Sequence, residues 1–189
     1  MPSLKRLFDL VLATICTFLL AIPLVVIACC VVLSSPGTAI YWSDRVGKNN
    51  KIFKMPKFRT MHLGTPEVAT HLLENPERYV FTVGRFLRKT SLDELPQLYS
   101  IFKGDLSFVG PRPALYNQHD LIAMRTANGV HELVPGLTGL AQIRGRDDLP
   151  VDRKVQYDTE YLRNQSFGLD LRILALTFLK VTLQDGVSH

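Results

Sequence analysis

The stretch Leu10–Leu33, LVLATICTFLLAIPLVVIACCVVL, decides the architecture of this chain. It contains 24 consecutive uncharged residues, nearly all apolar, in a sequence of 189 residues that is 47% apolar and 21% charged overall. At about 1.5 Å per residue, a helix of this length can cross about 30 Å of hydrocarbon. Residues 34–189 have the composition of one ordinary globular domain. We therefore expect a membrane-bound protein and exclude a disordered or fibrous one.

The positive charge of the protein is concentrated around this apolar segment. The first 66 residues carry eight basic and two acidic side chains, whereas the rest carries 14 and 15, so the net charge of +5 comes from the amino-terminal part. A nucleic-acid-binding protein usually spreads such a surplus over one face of its folded domain, so we expect no nucleic-acid partner. Beside a hydrophobic segment, the surplus favours anionic lipid headgroups. All three cysteines lie inside the segment, which fits a reducing, cytoplasmic setting for the domain.

Pro23, near the middle of the apolar segment, bears on the choice between three topologies. A cleaved secretory signal is disfavoured because its apolar core is usually only about 7–15 residues long. A straight spanning helix is long enough, but Pro23 removes the bond to the Leu19 carbonyl and bends a helix. Basic residues stand on both flanks, and the positive-inside rule keeps both flanks in the cytoplasm. A re-entrant helix that bends at Pro23 and returns to the same leaflet meets both demands, and a spanning helix stays the alternative.

The polar part predicts an α+β domain that is mostly helical with a small β-hairpin. Segments 39–43 and 52–58 are rich in aromatic and β-branched residues and flank a turn-rich segment, and Pro56 confines the second strand to a sheet edge. Helices are predicted at 95–103, 116–128 and 152–163, and a helical turn at 83–89. The strongly apolar segment 169–183 is expected to lie against the core or the membrane surface. A loop with a short helix is predicted at 65–76, and a glycine-rich loop at 135–145. We expect residues 1–35 to form the membrane helix and residues 36–189 one continuous domain.

The densest polar cluster, residues 85–97, has two interpretations. In the structural one, Ser91 and Glu94 form a capping box at the start of a helix. In the functional one, Asp93 and Glu94, with Arg88 just upstream, stay ionised where phosphate oxygens would bind. An ionised Asp can attack phosphorus, and a neighbouring carboxylate can hold Mg²⁺ together with substrate phosphates. Phosphoryl transfer needs little beyond a nucleophile in line, a metal and cationic clamps, so both interpretations stay open.

A second candidate for anion binding is Arg112, which stands between two prolines. Their stiff backbone would present its guanidinium to a diphosphate at little ordering cost, although a surface arginine in a polyproline turn explains the pattern equally well. Arg144 and Arg146 adjoin the glycine-rich segment and modestly favour an anion site there. The five histidines show no metal-ligand spacing, and the sequence holds no Ser-His-Asp pattern, Walker loop or dinucleotide fingerprint.

Five stretches follow one another in a fixed order along nearly the whole chain. They are KRLFD (5–9), KMPKFRTM (54–61), TSLDELPQ (90–97), KGDLSFVGPRP (103–113) and PGLTGLAQ (135–142). Together they resemble the bacterial sugar transferase family, the small monotopic phosphoglycosyl transferases. Five stretches in order are far more specific than any one of them alone.

The resemblance implies a reaction and roles for particular residues. A sugar-1-phosphate would pass from a UDP-sugar to a polyprenyl phosphate such as undecaprenyl phosphate, and UMP would leave. Asp93 would be the nucleophile that carries the phosphosugar, and Glu94 with Asp93 would hold Mg²⁺. Arg88 and Arg112 would clamp phosphates or the uridine, and Lys57 would lie near the site.

The resemblance also implies a location and a membrane topology. The family has a re-entrant helix bent at a proline, which matches Pro23, so we expect a monotopic protein in the bacterial inner membrane with its catalytic domain on the cytoplasmic face. The family often has Ser before that proline, whereas Ile22 stands here, so Thr14 or Thr17 would have to satisfy the freed carbonyl. No further membrane bundle precedes the helix, so we expect the minimal catalytic form.

Two other functions are compatible with the residues alone. A catalytically silent, membrane-anchored scaffold for glycan-assembly enzymes would have no need of the Asp93–Glu94 pair. A spanning protein whose basic region binds nucleic acid would show affinity for bare DNA that falls steeply with salt. The sequence leaves the transferred sugar, the glycan pathway and the oligomeric state open, a homodimer included.

Overall fold

The computed structural model describes residues 2–66, 75–145 and 149–182, and it is mostly helical with a small amount of sheet. The α-helices are α1 (Pro2–Ser34), α2 (Thr82–Lys89), α3 (Leu98–Lys103), α4 (His119–Ala127), α5 (Leu140–Gly145), α6 (Val151–Asn164) and α7 (Phe167–Thr182). The strands are β1 (Ile40–Val46), β2 (Ile52–Phe58), β3 (Ser107–Val109), β4 (Ala114–Leu115) and β5 (Gly136–Thr138). Short 3-10 helices cover 48–50, 76–78, 92–97 and 130–132.

The predicted hairpin is confirmed. Strands β1 and β2 pair antiparallel from Ile40 opposite Phe58 to Val46 opposite Ile52. Strand β4 joins the other side of β1, so the order is β2-β1-β4 and β2 is an edge strand. Pro56 therefore lies on an edge strand as predicted, where its missing N–H costs no ladder bond.

The prediction of a glycine-rich loop at 135–145 was wrong for most of that segment. It contains β5, which pairs in parallel with β3, and then α5. Close backbone approach explains the glycines, since a Cβ on Gly136 would lie 2.0 Å from the Gly110 nitrogen and one on Gly139 would lie 2.1 Å from the Gly110 oxygen. The predicted loop at 65–76 lies largely outside the described residues.

The core has two main clusters, and helix α1 contributes to both. Ala13 is fully buried in a cluster with Leu98, Ile101 and Tyr161. Val31 is fully buried in a second cluster that contains Phe58, Phe81 and Leu87. Both ends of the apolar helix are therefore packed against the polar part of the chain, while side chains between them, Phe18, Leu19, Ile22 and Val25, are exposed.

Helix α1 is the one described helix that is long and apolar enough to cross a membrane. It runs through Pro23 as one helix of 33 residues, so the bend at Pro23 and the return to the same leaflet stay predictions. The Thr14 hydroxyl donates to the Leu10 carbonyl, and the Thr17 hydroxyl is buried with no partner among the described residues. Neither hydroxyl therefore contacts the Leu19 carbonyl, as the sequence led us to expect of one of them.

Polar contacts hold the amino end of α1 on the domain. Lys5 forms a 2.7 Å ion pair with buried Asp170 on α7, and the Phe108 amide donates to buried Asp9 at 3.2 Å. Arg6 donates to the carbonyls of α3 residues 101 and 102. The basic residues before the apolar segment, which the charge pattern assigned to lipid headgroups, thus contact the domain itself.

At the carboxyl end of α1, buried Arg59 has a similar function. It donates to the Ser35 hydroxyl at 2.8 Å, to the Ser35 carbonyl at 2.7 Å and to the Thr38 carbonyl at 2.8 Å. A cation at this position also complements the negative end of the helix dipole.

Candidate active site

The acidic pair lies on the 3-10 helix 92–97, between α2 and α3. Leu92 and Leu95 pack against the second core cluster. Asp93 and Glu94 lie between them in the first turn and are half-buried. The apolar anchors on either side thus fix the backbone from which both carboxylates project.

The capping box expected from Ser91 and Glu94 does not form. Ser91 has a left-handed backbone with φ 56° and makes no side-chain cap bond. The Glu94 carboxylate contacts Lys57 and Arg112 instead. Glu94 therefore bonds to residues 37 and 18 positions away in the chain instead of capping the helix on which it lies.

Glu94 is the centre of a charged cluster. Lys57 Nζ and Arg112 Nη2 each lie 3.1 Å from the same oxygen, Glu94 Oε1. Only 17% of the Lys57 side chain and 19% of the Glu94 side chain are exposed. Burial alone would raise the pKa of Glu94, but the charges and hydrogen bonds of Lys57 and Arg112 outweigh it and lower that pKa to about 2. Glu94 is therefore a fixed negative charge at neutral pH.

The pKa of Asp93 shifts in the opposite direction. Burial, aided by the charge of Glu94, raises its pKa above the ordinary value, although Lys57, Arg88 and Arg112 act to lower it. The sequence favoured an ionised Asp held by helix amides, whereas the structure gives a poorly solvated carboxylate whose basicity is raised. Such a group is well suited to nucleophilic attack.

Three basic residues predicted for the site are brought together around the acidic pair. Lys57 comes from the edge strand β2, Arg88 from the last turn of α2, and Arg112 from the segment between β3 and β4. Arg88 is half-buried and its charge acts on Asp93. The remaining predicted residue, Arg146, lies outside the described residues.

Arg125 and Asp158 were not predicted from the sequence, although Arg125 contacts both the Arg112 backbone and Asp158. Arg125 on α4 donates to the Arg112 carbonyl at 2.8 Å and to Asp158 on α6 at 2.6 and 2.9 Å. A signal was present, because Arg125 follows buried Leu121 by four residues and Asp158 lies between buried Val155 and Tyr161. Charged side chains at helical spacing on an apolar face indicate a buried partner.

No group of three or more metal-ligating His, Cys, Asp or Glu side chains occurs in the described part of the chain. Asp93 and Glu94 are two adjacent carboxylates, and Lys57 and Arg112 both bond to the first Glu94 oxygen. Such a set suits a cation that completes its shell with water and substrate phosphates, as Mg²⁺ does, and does not suit zinc.

Comparison with known proteins gives a consistent result. A family model described as bacterial sugar transferase matches residues 2–184. The chain is 43% identical over 189 residues to the uncharacterized sugar transferase EpsL of Bacillus subtilis, with 98% of this chain and 91% of that protein covered.

Two relatives carry names that specify substrates. The undecaprenyl-phosphate galactose phosphotransferase of Salmonella typhimurium is 38% identical, with 97% of this chain and 41% of that protein covered. The UDP-glucose:undecaprenyl-phosphate glucose-1-phosphate transferase of Escherichia coli is 40% identical, with 94% and 40% covered. The chain thus spans about two fifths of the length of these two proteins.

Proposed function

The chain belongs to the bacterial sugar transferase family, and we propose that it transfers a sugar-1-phosphate from a UDP-sugar to undecaprenyl phosphate, with release of UMP. The observation that carries this proposal is the pair Asp93–Glu94, in which Lys57 and Arg112 both bond to Glu94 while burial raises the pKa of Asp93. The names of the Salmonella and Escherichia relatives support the donor and the acceptor.

In the first step, an Asp93 carboxylate oxygen attacks the phosphorus that bears the sugar. A bond forms between that oxygen and phosphorus, and the bond from phosphorus to the bridging diphosphate oxygen breaks. UMP leaves with the electron pair of the broken bond, and the sugar-1-phosphate stays on Asp93 as an acyl phosphate. The raised pKa of Asp93 supports this role, because a more basic carboxylate is a better nucleophile once ionised.

In the second step, a phosphate oxygen of undecaprenyl phosphate attacks the same phosphorus. The new bond gives an undecaprenyl diphosphate sugar, and the bond between phosphorus and the Asp93 oxygen breaks to regenerate the carboxylate. Each step makes one bond to phosphorus and breaks one, so no further reactant is needed.

The charged cluster supplies the electrostatics of both steps. Lys57, Arg88 and Arg112 place positive charge around Asp93, where the phosphate oxygens of the donor would lie. Phosphoryl transfer depends mainly on such positioning and charge stabilisation. Glu94 orients two of these cations by holding both on one oxygen.

The donor set fits Mg²⁺, and we propose Asp93 and Glu94 as the residues that hold it. When bound, Mg²⁺ supplies positive charge that stabilises the diphosphate and the leaving UMP. The remaining coordination would come from water and from the substrate phosphates.

We further propose that α1 re-enters one leaflet and places Asp93 at the membrane surface on the cytoplasmic side of the bacterial inner membrane. The contacts of both helix ends with one domain support this topology. Lys5 and Asp9 hold the amino end, and Val31 and Ser35 hold the carboxyl end. A helix that spans about 30 Å of hydrocarbon would leave one end on the far side of the bilayer.

Helix α7 supports an interfacial arrangement. It buries Asp170 and Ile173 but exposes Leu171, Phe178 and Leu179, with Phe178 72% exposed. Its first residue, Phe167, packs edge-to-face on Phe8 at the amino end of α1. The exposed apolar side chains are therefore proposed to lie at the boundary of headgroups and acyl chains.

This placement suits the substrates, because a soluble UDP-sugar arrives from the cytosol while a polyprenyl phosphate stays in the membrane. The product would open the membrane stage of a surface glycan, such as an O-antigen, a capsule, an exopolysaccharide or a glycoprotein glycan.

The test is the release of UMP from a panel of UDP-sugars by purified protein with Mg²⁺ and without acceptor. We expect one UMP per wild-type molecule from the preferred donor and none from Asp93→Asn, because the amide cannot form the acyl phosphate. The matched control, Asp120→Asn, replaces an exposed Asp on α4 and should behave as wild type. UMP release from Asp93→Asn at the wild-type rate would overturn the proposal.

A further inference from the structure

The segment Pro111–Arg112–Pro113 contains Arg112, whose guanidinium bonds to Glu94. The segment has few backbone N–H groups that could fix its own position. Two of its three residues lack an N–H group. All three of its carbonyls accept hydrogen bonds, from the Gly136 amide at 2.9 Å, from Arg125 Nη1 at 2.8 Å and from Arg45 Nη1 at 3.2 Å. The position of the segment is thus set from outside, by β5, α4 and β1.

Arg125 contacts the middle carbonyl, which belongs to Arg112 itself. Its Nε and Nη2 both donate to Asp158 Oδ2, at 2.9 and 2.6 Å. The Arg125 side chain is 11% exposed and that of Asp158 is 2% exposed. The guanidinium is therefore held by a buried carboxylate on α6, and its Nη1 donates to the Arg112 carbonyl.

Stability alone is a weak reason for such a pair. A buried ion pair must overcome the desolvation of both charges, and apolar residues of similar volume are often as stable at such positions. What an apolar pair would not supply is a rigid, charged donor for the Arg112 carbonyl. The planar fork of arginine can bond to Asp158 and to that carbonyl at once, whereas the point charge of a lysine cannot.

We propose that Arg125 and Asp158 are positioning residues that set Arg112 in register with Glu94 and with the donor phosphates. This inference rests on the proposed function and adds to it two residues on helices that carry none of the reacting groups. The effect passes from Asp158 to Arg125, to the Arg112 carbonyl and then to the Arg112 guanidinium, 3.1 Å from Glu94 Oε1.

The test is a double-mutant cycle with Arg112, in which the rate of UMP formation is measured at saturating UDP-sugar. We expect Arg125→Lys and Asp158→Asn each to lower this rate about 10- to 100-fold, as small displacements of catalytic groups do, with the donor KM changed less than about threefold. In an Arg112→Gln background the same substitutions should lower the rate by less than about a further twofold, because the residue that they position is already lost.

Val155→Ala is the matched control. Val155 is buried on α6 one turn before Asp158, in the cluster that packs α4 against α6, so the change loosens that contact but leaves every bond of Arg125 in place. We expect it to lower the thermal unfolding midpoint about as much as Arg125→Lys does, while the rate stays within about threefold of wild type. Its effect on the rate should be the same with and without Arg112→Gln.

Three results would overturn the inference. One is an equal loss of rate from Arg125→Lys with and without Arg112, and another is a loss from Val155→Ala as large as that from Arg125→Lys. The third is that both Arg125→Lys and Asp158→Asn fail to fold, which would make the pair a purely structural one. A wild-type protein that releases no UMP from any UDP-sugar would instead refute the proposed function.

Discussion

At the scale of single residues, the site depends on two adjacent carboxylates with opposite pKa shifts. The pKa of Glu94 falls to about 2 because Lys57 and Arg112 contact it directly, whereas burial raises that of Asp93. Environments that separate the pKa values of neighbouring groups usually separate their roles as well. We accordingly propose that Glu94 orients the neighbouring cations and that Asp93 is the nucleophile.

The pH dependence of UMP formation tests this division. In the proposed mechanism Asp93 reacts only when ionised, so the rate should fall as the pH decreases through its raised pKa, while Glu94 stays ionised down to about pH 2. Lys57→Met removes the largest influence that lowers the Asp93 pKa, so that pKa rises further. The acid limb of kcat/KM should therefore move to higher pH, and the rate at pH 7 should fall about 10- to 100-fold.

Lys54→Met is the control for this measurement. Lys54 lies three residues earlier on the same strand and is exposed, with its ion-pair partner Asp44 away from the site. Its pH profile should match that of the wild type. An acid limb that stays in place in Lys57→Met would contradict the electrostatic account of Asp93.

The members of the charged cluster could be named from the sequence, but their contacts could not. Asp93, Glu94, Lys57 and Arg112 were all found from motifs, yet the local pattern around Ser91 equally predicted a capping box. Whether Glu94 caps the helix or bonds to cations depends on Lys57 and Arg112, which are distant in the chain. A local pattern holds no information on such contacts. Arg125 and Asp158 were missed because their helical spacing places each on an apolar face but does not show that the two side chains meet.

At the scale of secondary-structure elements, α1 is anchored at both ends. Asp9 at the amino end is buried and accepts a hydrogen bond from the Phe108 amide in strand β3, and Arg59 donates to the Ser35 carbonyl after the carboxyl end. Asp9→Ala would leave a buried amide without an acceptor. We expect it to lower the free energy of unfolding by about 1–3 kcal/mol in detergent.

Thr14→Ala is the comparison for Asp9→Ala. The exposed Thr14 hydroxyl bonds only within its own helix, to the Leu10 carbonyl, so its loss should change the free energy of unfolding by less than about 0.5 kcal/mol. Denaturant titrations of the three proteins measure both differences. Equal stabilities of Asp9→Ala and wild type would show that this contact does not anchor the helix.

The elements that were predicted correctly are those with local signals. The hairpin follows from aromatic and β-branched residues around a turn, and α6 follows from helical spacing. The parallel pair of β3 and β5 was missed, because its three-residue strands read as proline- and glycine-rich connections. Only the packing of Gly110 against Gly136 explains those glycines, and that contact joins residues 26 positions apart.

At the scale of the whole molecule, the account requires both ends of α1 on the side of the membrane that holds the catalytic domain. An epitope tag ahead of Met1 and one after His189 should both resist protease in intact spheroplasts and both be cleaved after lysis. The account predicts the same result for the two tags because Lys5 and Ser35 contact one domain. Cleavage of the amino-terminal tag alone in intact spheroplasts would show a spanning helix.

The central claim is that Asp93 carries the sugar phosphate between a soluble donor and a membrane acceptor. The most direct measurement is mass spectrometry of protein quenched within seconds of mixing with its preferred UDP-sugar and Mg²⁺, without undecaprenyl phosphate. We predict one sugar-phosphate adduct on the peptide that contains Asp93, formed together with one UMP and lost when acceptor is added. UMP release without an adduct, or an adduct on any other residue, would contradict the account.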